Sequence, residues 1–368
     1  MVARVFLAHQ INTLVESYDV TIITNLTSGQ SLLDSISDKV NVVDLPIERN
    51  INLFADLKAL FLLVLIFNKN KFSLVHSVTP KAGILTAIAS WVVQIPNRLH
   101  TFTGQVWVAK KGAFRWLLKR LDKVVVVLNT HVLVDSFSQQ SFLEEERVLN
   151  KDSSIVLGRG SISGVDVERF QPSKKYRELI RQELSIESEC LVFLFVGRLK
   201  REKGVFELVK AFKNISKDFN NTRLLIIGPD EENLKQELVR LLGVHKNSVR
   251  FIDFVKTPEQ YMMASDIFVL PSYREGFGST VIEAASCGLP SIGSNIYGLS
   301  DSIESEKTGL LASAKSSKSL ERAMLKLVEN GELRDNMGVN ARKRAVHHFS
   351  QSDITSEILQ LYGALLKK

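Results

Sequence analysis

The chain has 368 residues, 45% of them hydrophobic and 24% charged, a globular composition with enough length for two domains of ordinary size. Two cysteines, Cys190 and Cys287, exclude a disulfide framework and stand in no zinc-binding spacing, a usage that fits a reducing compartment. A formal net charge of +7, spread over both halves, does not demand nucleic acid; the longest apolar run, Ala59 to Phe67, is nine residues where a spanning helix needs roughly 20, so a soluble or membrane-peripheral protein is expected.

Leu7, Ile11, Leu14 and Val15 share one helical face, and Tyr18 to Thr24 then reads as a buried strand. Strand-like and helical runs alternate from there: Val40 to Leu45, a helix about Phe54 to Phe67, a strand Ser73 to His76, and a helix from Pro80 to Val93 behind a Thr79-Pro80 start. Arg98 to Phe102 and Lys123 to Leu128 read as further strands. A second alternating series runs through Leu191 to Val196, Arg223 to Ile227, Val249 to Ile252, Ile267 to Leu270 and Ser291-Ile292, each followed by a helical stretch. Alternation of this kind predicts an α/β fold with parallel sheets, organised as two Rossmann-like domains over 1–165 and 166–351, with the segment 352–368 a carboxyl-terminal helix returning to the first domain. Two such domains facing one another would leave a cleft at the carboxyl ends of their strands, where α/β proteins bind ligands.

Two segments after strands carry the chemistry. Gly197-Arg-Leu-Lys-Arg-Glu-Lys-Gly204 is a glycine turn entering a helix with four cations, able to offer backbone N–H groups and positive charge to an anion; by itself it also suits a solvated basic loop. Pro271-Ser-Tyr-Arg-Glu-Gly-Phe-Gly-Ser-Thr-Val-Ile-Glu283 follows a buried strand, and its Gly276 and Gly278 permit close backbone approach to a ligand. A helix starting near Ser279 aims free N–H groups into the same place. Glu275 and Glu283 supply acceptors for hydroxyls, so a ligand with a phosphate centre and hydroxyls at both ends, a nucleotide sugar, fits.

The two carboxylates enclosing Gly-Phe-Gly after Pro-Ser resemble the signature of retaining glycosyltransferases of family 4. Further segments match that family in order: Gly197-Arg-Leu with Lys203-Gly204, Gly164-Val-Asp166 with Arg169-Phe170, Ile227-Gly-Pro229, Ala264-Ser-Asp266, Ala284 to Pro290, and Lys307 to Leu311. The resemblance covers nearly the whole chain and is strongest to enzymes building bacterial surface polysaccharides, of the lipopolysaccharide and O-antigen kind, on a lipid carrier. It implies the GT-B arrangement of two Rossmann-like domains and a nucleotide-sugar donor, UDP-linked. It also implies that Arg198 and Lys203 neutralise the donor diphosphate, that Glu283 holds the ribose, and that Glu275 contacts the transferred sugar. The loop Gly276, Phe277, Gly278 and Ser279 would surround the sugar hydroxyls and β-phosphate together with Gly197. His100 is matched to a histidine reaching the sugar from the first domain, although a lone strand-end histidine is more often structural. Retention in this family is pictured as front-side displacement with no protein nucleophile; no Asp-x-Asp motif stands in a matching place, so no cofactor and no metal are expected.

Residues 107 to 123 interleave Trp107, Phe114, Trp116, Leu117 and Leu121 with Lys110, Lys111, Arg115, Lys119 and Arg120, a pattern suited either to an interfacial helix on anionic lipid or to a core helix with a charged outer face. Lys81, in a first helical turn, would meet the diphosphate of a lipid-linked acceptor. The reading is a cytoplasmic hexosyl- or N-acetylhexosaminyltransferase, peripheral on the inner face of the cytoplasmic membrane. A non-catalytic nucleotide-sugar-binding or scaffold protein is the rival. Family members open with a strand and a glycine-containing loop, whereas this chain starts near the following helix, at Val5 to Val15. Either the true start lies upstream, with about 10 to 20 residues omitted, which is the favoured expectation, or the first sheet lacks a central strand; the chain as written would be inactive for want of that strand.

Overall fold

The computed structural model describes residues 7–26, 35–48 and 51–367. The chain forms two compact units, one made of residues 1–164 and 351–368, the other of 165–350. Residues 1–6, on which the reading of the chain's start partly rests, lie outside the described residues.

The first unit begins with helix α1 (Ala8–Leu14), strands β1 (Thr21–Thr24) and β2 (Asn41–Asp44), and helix α2 (Leu53–Asn70). There follow β3 (Leu74–Ser77), α3 (Pro80–Val92), β4 (Asn97–Phe102), a 3-10 turn (Val106–Ala109), α4 (Gly112–Leu128), β5 (His131–Val134), α5 (Phe137–Glu145) and the short β6 (Ile155–Val156). Helices start at side chains that accept a free first-turn N–H: Asn52 for α2 and Ser136 for α5. Strands β3, β4, β5 and β6 form one parallel sheet in that order, and β1 pairs with β2 in a separate parallel pair. Residues of both β1 and β3 line a cavity of about 1530 Å³ in this unit.

Lys123 to Leu128 is not a strand: it forms the last turns of α4, and the strand is the shorter His131–Val134. No glycine or proline interrupts residues 113–128, so a helix begun upstream propagates through the valines. Val125 is buried while Val124 and Val127 are exposed, a helical rather than an alternating pattern. Asn129 then stops the helix, its side-chain amide donating to the Val125 carbonyl at 2.7 Å.

The second unit contains α6 (Lys174–Glu183), β7 (Leu191–Val196), a 3-10 turn (Arg201–Lys203), α7 (Val205–Asp218), β8 (Thr222–Ile227), α8 (Lys235–Leu242), β9 (Val249–Ile252), α9 (Pro258–Ala264) and β10 (Ile267–Leu270). It continues with α10 (Ser279–Ser286), β11 (Ser291–Ser294), α11 (Leu299–Ser302), β12 (Gly309–Ala312), α12 (Ser317–Glu329) and α13 (Gly331–His348). Its six strands are parallel in the order β9-β8-β7-β10-β11-β12. Strand order therefore reverses between β7 and β10, the topological switch point at which doubly wound sheets bind ligands. Phe193, Leu194, Phe268 and Val269 from these two strands are fully buried, as strands covered on both faces require.

The last helix, α14 (Gln351–Leu366), belongs to the first unit. Ile358 packs with Leu99 and Leu133, and Glu357 accepts the Gly158 N–H at 2.6 Å.

Candidate donor-binding site

Both loops singled out in the sequence leave the carboxyl ends of the switch-point strands. After β7 the chain runs through Gly197 and Arg198 into the 3-10 turn and then Gly204, which enters α7 at φ +70°. A Cβ on Gly204 would lie 2.0 Å from the Pro271 carbonyl oxygen, so glycine is required both by the backbone conformation and by the approach of the second loop. That second loop, Pro271 to Gly278, follows β10 and feeds α10, with Gly278 at φ +84° as its first turn's cap. Gly298 lies against it so closely that a Cβ there would meet the Gly276 carbonyl at 2.5 Å.

Ion pairs clasp the two loops. Lys203 Nζ stands 2.5 Å from Glu275 Oε1, and Arg274 reaches Glu202 with two N–H donors at 3.1 Å each. The Tyr273 N–H donates to the Glu202 carbonyl at 2.8 Å, and its hydroxyl donates to Glu207 at 2.7 Å. Arg198 and Lys200 share Glu231 at 3.2 and 2.9 Å. The arrangement is thus a glycine-lined bed with cations on one side, the first turn of α10 at its end, and carboxylates to balance the cations. A diphosphate is the ligand class such a bed receives.

Glu283 lies one turn into α10, where its main-chain carbonyl accepts the Cys287 N–H at 3.2 Å. Burial pushes its carboxyl up to about 8, with Arg169 pulling it down and Glu259 pushing it up. The group is largely protonated at neutral pH, able to donate as well as accept. Because its ordinary value is near 4.5, the folded state keeps a proton that the unfolded chain releases as pH rises from there to about 8, so this carboxyl costs stability increasingly across that window. Glu283→Gln should therefore flatten the decline: between about pH 5 and pH 8 the wild type should lose several degrees more in thermal midpoint than the variant. Equal declines would mean that the carboxyl ionises freely in the folded protein.

Among the sequence-predicted residues, Gly197, Arg198, Lys203, Glu275, Gly276, Gly278, Ser279 and Glu283 all lie on these two loops and the first turns of α10. Phe277 does not offer its ring to a ligand: it is buried and packs edge-on to Phe349 at 5.1 Å, so only its backbone faces the bed. Asp166 fixes its own turn by accepting the N–H groups of Glu168 and Arg169. Glu202, Arg274 and Glu231 were missed by the sequence reading, which has no means of pairing charges across separate loops; the Glu-Lys order within Arg201-Glu-Lys203 is the only local hint. Among the described residues no cluster of His, Cys, Asp or Glu is placed to hold a metal ion.

In the first unit, His100 lies in the interior and not at the surface. It is 1% exposed, third from the end of β4, and its ring is turned into the layer beneath α3, where a Cβ on Gly83 would touch it. Ser77 Oγ stands 2.9 Å from its Nδ1. Burial, with His76 beside it, lowers the imidazole to about 3, and burial lowers His76 to about 4, so both are neutral at physiological pH. His76 lies between Tyr362 Oη at 2.6 Å and Thr101 Oγ1 at 2.7 Å. The His100 imidazole is thus enclosed by its own unit, held by packing and by Ser77.

Lys81 is likewise engaged, 2.6 Å from Asp56 of α2 and donating to the Glu48 carbonyl at 2.9 Å. Trp107 is buried, stacked on Phe142 and donating to Asp122 at 2.7 Å, so it is core rather than interfacial. Lys119 is held at 2.6 Å by Glu146, which also takes Arg115 at 2.8 Å, and both cations lie over the Trp107 ring. Of the interleaved aromatic and basic residues, the fold turns Trp107, Arg115 and Lys119 inward and leaves Trp116 and Arg120 outside, the guanidinium over the indole at 5.2 Å.

A parallel sheet reversing at β7 and β10, with paired glycine loops at that point, defines a Rossmann-type α/β protein. The chain belongs to the glycosyltransferases: residues 176–344 match the family described as Glycosyl transferases group 1 and residues 1–129 that described as Glycosyl transferase 4-like. It is 31% identical over 96% of its length to the capsular polysaccharide biosynthesis glycosyltransferase CapM of Staphylococcus aureus, 92% of which is covered. It is 28% identical, over 94% of this chain and 89% of the other, to an Escherichia coli UDP-Gal:alpha-D-GlcNAc-diphosphoundecaprenol alpha-1,3-galactosyltransferase. Its fold is that of the GT-B glycosyltransferases; sucrose-phosphate synthase of Thermosynechococcus elongatus superposes with a TM-score of 0.82 at 22% identity, over 98% of this chain and 92% of that one.

Proposed function

We propose that the protein transfers a hexosyl or N-acetylhexosaminyl group, with retention of anomeric configuration, from a UDP-linked sugar to a lipid-linked saccharide during polysaccharide assembly. The observation that supports this reading is the close approach, at the β7/β10 switch point, of the two glycine-containing loops, clasped by the pairs Lys203–Glu275 and Arg274–Glu202, with Arg198 on the first loop and Glu283 in the helix that the second one feeds. The Escherichia coli relative, a galactosyltransferase named for a UDP-galactose donor and a diphosphoundecaprenol-linked acceptor, supports a UDP-sugar donor and a lipid diphosphate acceptor.

In this reading Arg198 and Lys203 take up the charge that grows on the diphosphate as the sugar departs, aided by the N–H groups of Gly278 and Ser279. Glu283 holds the ribose and Glu275 the hydroxyls of the sugar. The departing phosphate oxygen accepts the acceptor's proton on the same face, so no protein nucleophile is required. These cations supply the positive charge that a divalent metal would otherwise provide, and the enzyme is metal-independent. It works at the cytoplasmic face of the membrane as a peripheral protein, with Trp116 and Arg120 of α4 at the lipid surface; no helix among the described residues is long and apolar enough to cross a membrane.

The test is product formation from a panel of nucleotide sugars and a lipid-linked saccharide, with and without chelator, and the anomeric configuration of the product read by NMR. Transfer with retention, insensitive to chelator, is expected. A protein that binds donors but neither hydrolyses nor transfers them is a binding or scaffold protein instead.

A further inference from the structure

We infer that α2 is a membrane-seated helix, its outward face lying on an anionic bilayer beside that of α4. This rests on the peripheral-membrane part of the function proposed above. Helix α2 is apolar on both of its faces. Ala59, Leu63 and Phe67 are buried against the unit's core, as an ordinary surface helix requires. Leu53, Phe54, Leu57, Phe61 and Leu65, spaced by three and four residues, form a second stripe on the opposite side. Phe54 is 89% exposed and Phe61 63%. Single exposed apolar residues need no explanation, but five of them in one stripe along most of a helix mark a surface that is covered in use.

The neighbouring helices identify the cover. Helix α3 packs against both α2 and α4, so the three lie in one layer. It exposes Trp91 and Val92 at its end, and α4 exposes Trp116, Leu117 and Leu121. The apolar surface therefore continues across the layer, and its polar members are cationic: Lys58 on α2, and Lys110, Lys111 and Arg120 at α4 are exposed. The acidic member of α2, Asp56, is turned from this face and neutralised by Lys81. Large apolar side chains with lysine and arginine interspersed, and carboxylates withdrawn, match the boundary between acyl chains and anionic headgroups. Three charges in α2 and its 18 residues keep it in the plane of that boundary rather than across it.

Binding of the full chain to vesicles of phosphatidylcholine alone and of an equal phosphatidylcholine–phosphatidylglycerol mixture tests this. The wild type should bind the mixture, and the Phe54→Ser, Phe61→Ser double variant should lose at least about tenfold in partition coefficient with an unchanged thermal midpoint, since both side chains are exposed. Tryptophan at Phe61→Trp should be quenched by brominated acyl chains. If the double variant binds the mixture as the wild type does while Trp116→Ala, Arg120→Ala does not, α2 lies outside the contact and only the α4 reading survives. If the wild type binds neither vesicle, the membrane part of the proposed function falls and this inference with it. If the wild type instead sediments as a dimer that the double variant dissociates, the stripe is an interface between copies of the chain and the inference is overturned.

Discussion

Replacing Lys203 with alanine should lower turnover at saturating donor by roughly 10²–10³-fold, the effect of removing one preorganised group that meets charge developing in the transition state. Lys203 ends the 3-10 turn after β7, and its side chain is mostly enclosed, so its ammonium has little freedom to be replaced by a neighbour. Lys203 pairs with Glu275 at 2.5 Å, and a diphosphate entering this site would compete with that carboxylate. Glu275→Gln should therefore act differently: the freed lysine meets the diphosphate without competition, so donor affinity is kept or improved, while turnover falls because the sugar loses its carboxylate contact. The double variant should be no worse than the poorer single one, since the two residues serve one event. Single-turnover kinetics and donor titration, with thermal midpoints alongside, separate these effects. Wild-type turnover in Lys203→Ala, accompanied by a lowered midpoint, would reduce the pair to a clasp between loops.

What was legible in the sequence was what is encoded locally. Gly197 to Gly204 and Pro271 to Glu283 each carry their glycines, charges and helix start within a dozen or so residues, and the buried runs before them mark the strands that place them. Strand order is another matter: that β7 and β10 are neighbours depends on pairing between Phe193 and Ile267, which no local pattern announces. The aromatic and basic run at 107–123 misled for a similar reason. Its amphipathic spacing is real, but whether Trp107 or Trp116 faces inward is decided by Phe142, Asp122 and Glu146, which stand elsewhere in the chain. His100 resembled a strand-end group, yet the alternation along β4 sends its ring toward α3 and Gly83. The valines of Lys123 to Leu128 have strand propensity, and tertiary context overrode it, as a helix already nucleated upstream makes each added residue cheap. The outward apolar stripe of α2 was hidden because a helix apolar on two faces reads in sequence simply as a buried one.

Asp266→Ala should destabilise the second unit by about 3–5 kcal/mol, the largest stability effect of any single exchange considered, because it leaves a buried cation without its counterion. Arg181 of α6 is 5% exposed, and burial lowers its pKa despite the opposing influence of Asp266. Its guanidinium donates to the carbonyls of Ala264, Glu187, Ser188 and Cys190 and, at 2.8 Å, to Asp266 Oδ2. Asp266 Oδ1 receives Arg177 at 2.6 Å, and Oδ2 also accepts the Val192 N–H at 2.7 Å. One carboxylate thus ties α6 to the starts of β7 and β10, the two strands whose far ends carry the donor-binding loops. The four carbonyls would still satisfy part of the guanidinium's geometry in the variant, but dipoles do not replace a neutralising charge in so enclosed a place. Asp266→Asn keeps an acceptor for Val192 or Arg181 and loses the charge, so its cost should fall between those of wild type and alanine. Urea unfolding read on a tryptophan-free second unit requires a circular-dichroism or hydrogen-exchange signal assigned to residues 165–350, and two transitions must be allowed because the chain has two units. A loss below about 1 kcal/mol in alanine would mean that the carbonyl cage alone holds Arg181, and that the carboxylate serves only to align the two strand starts.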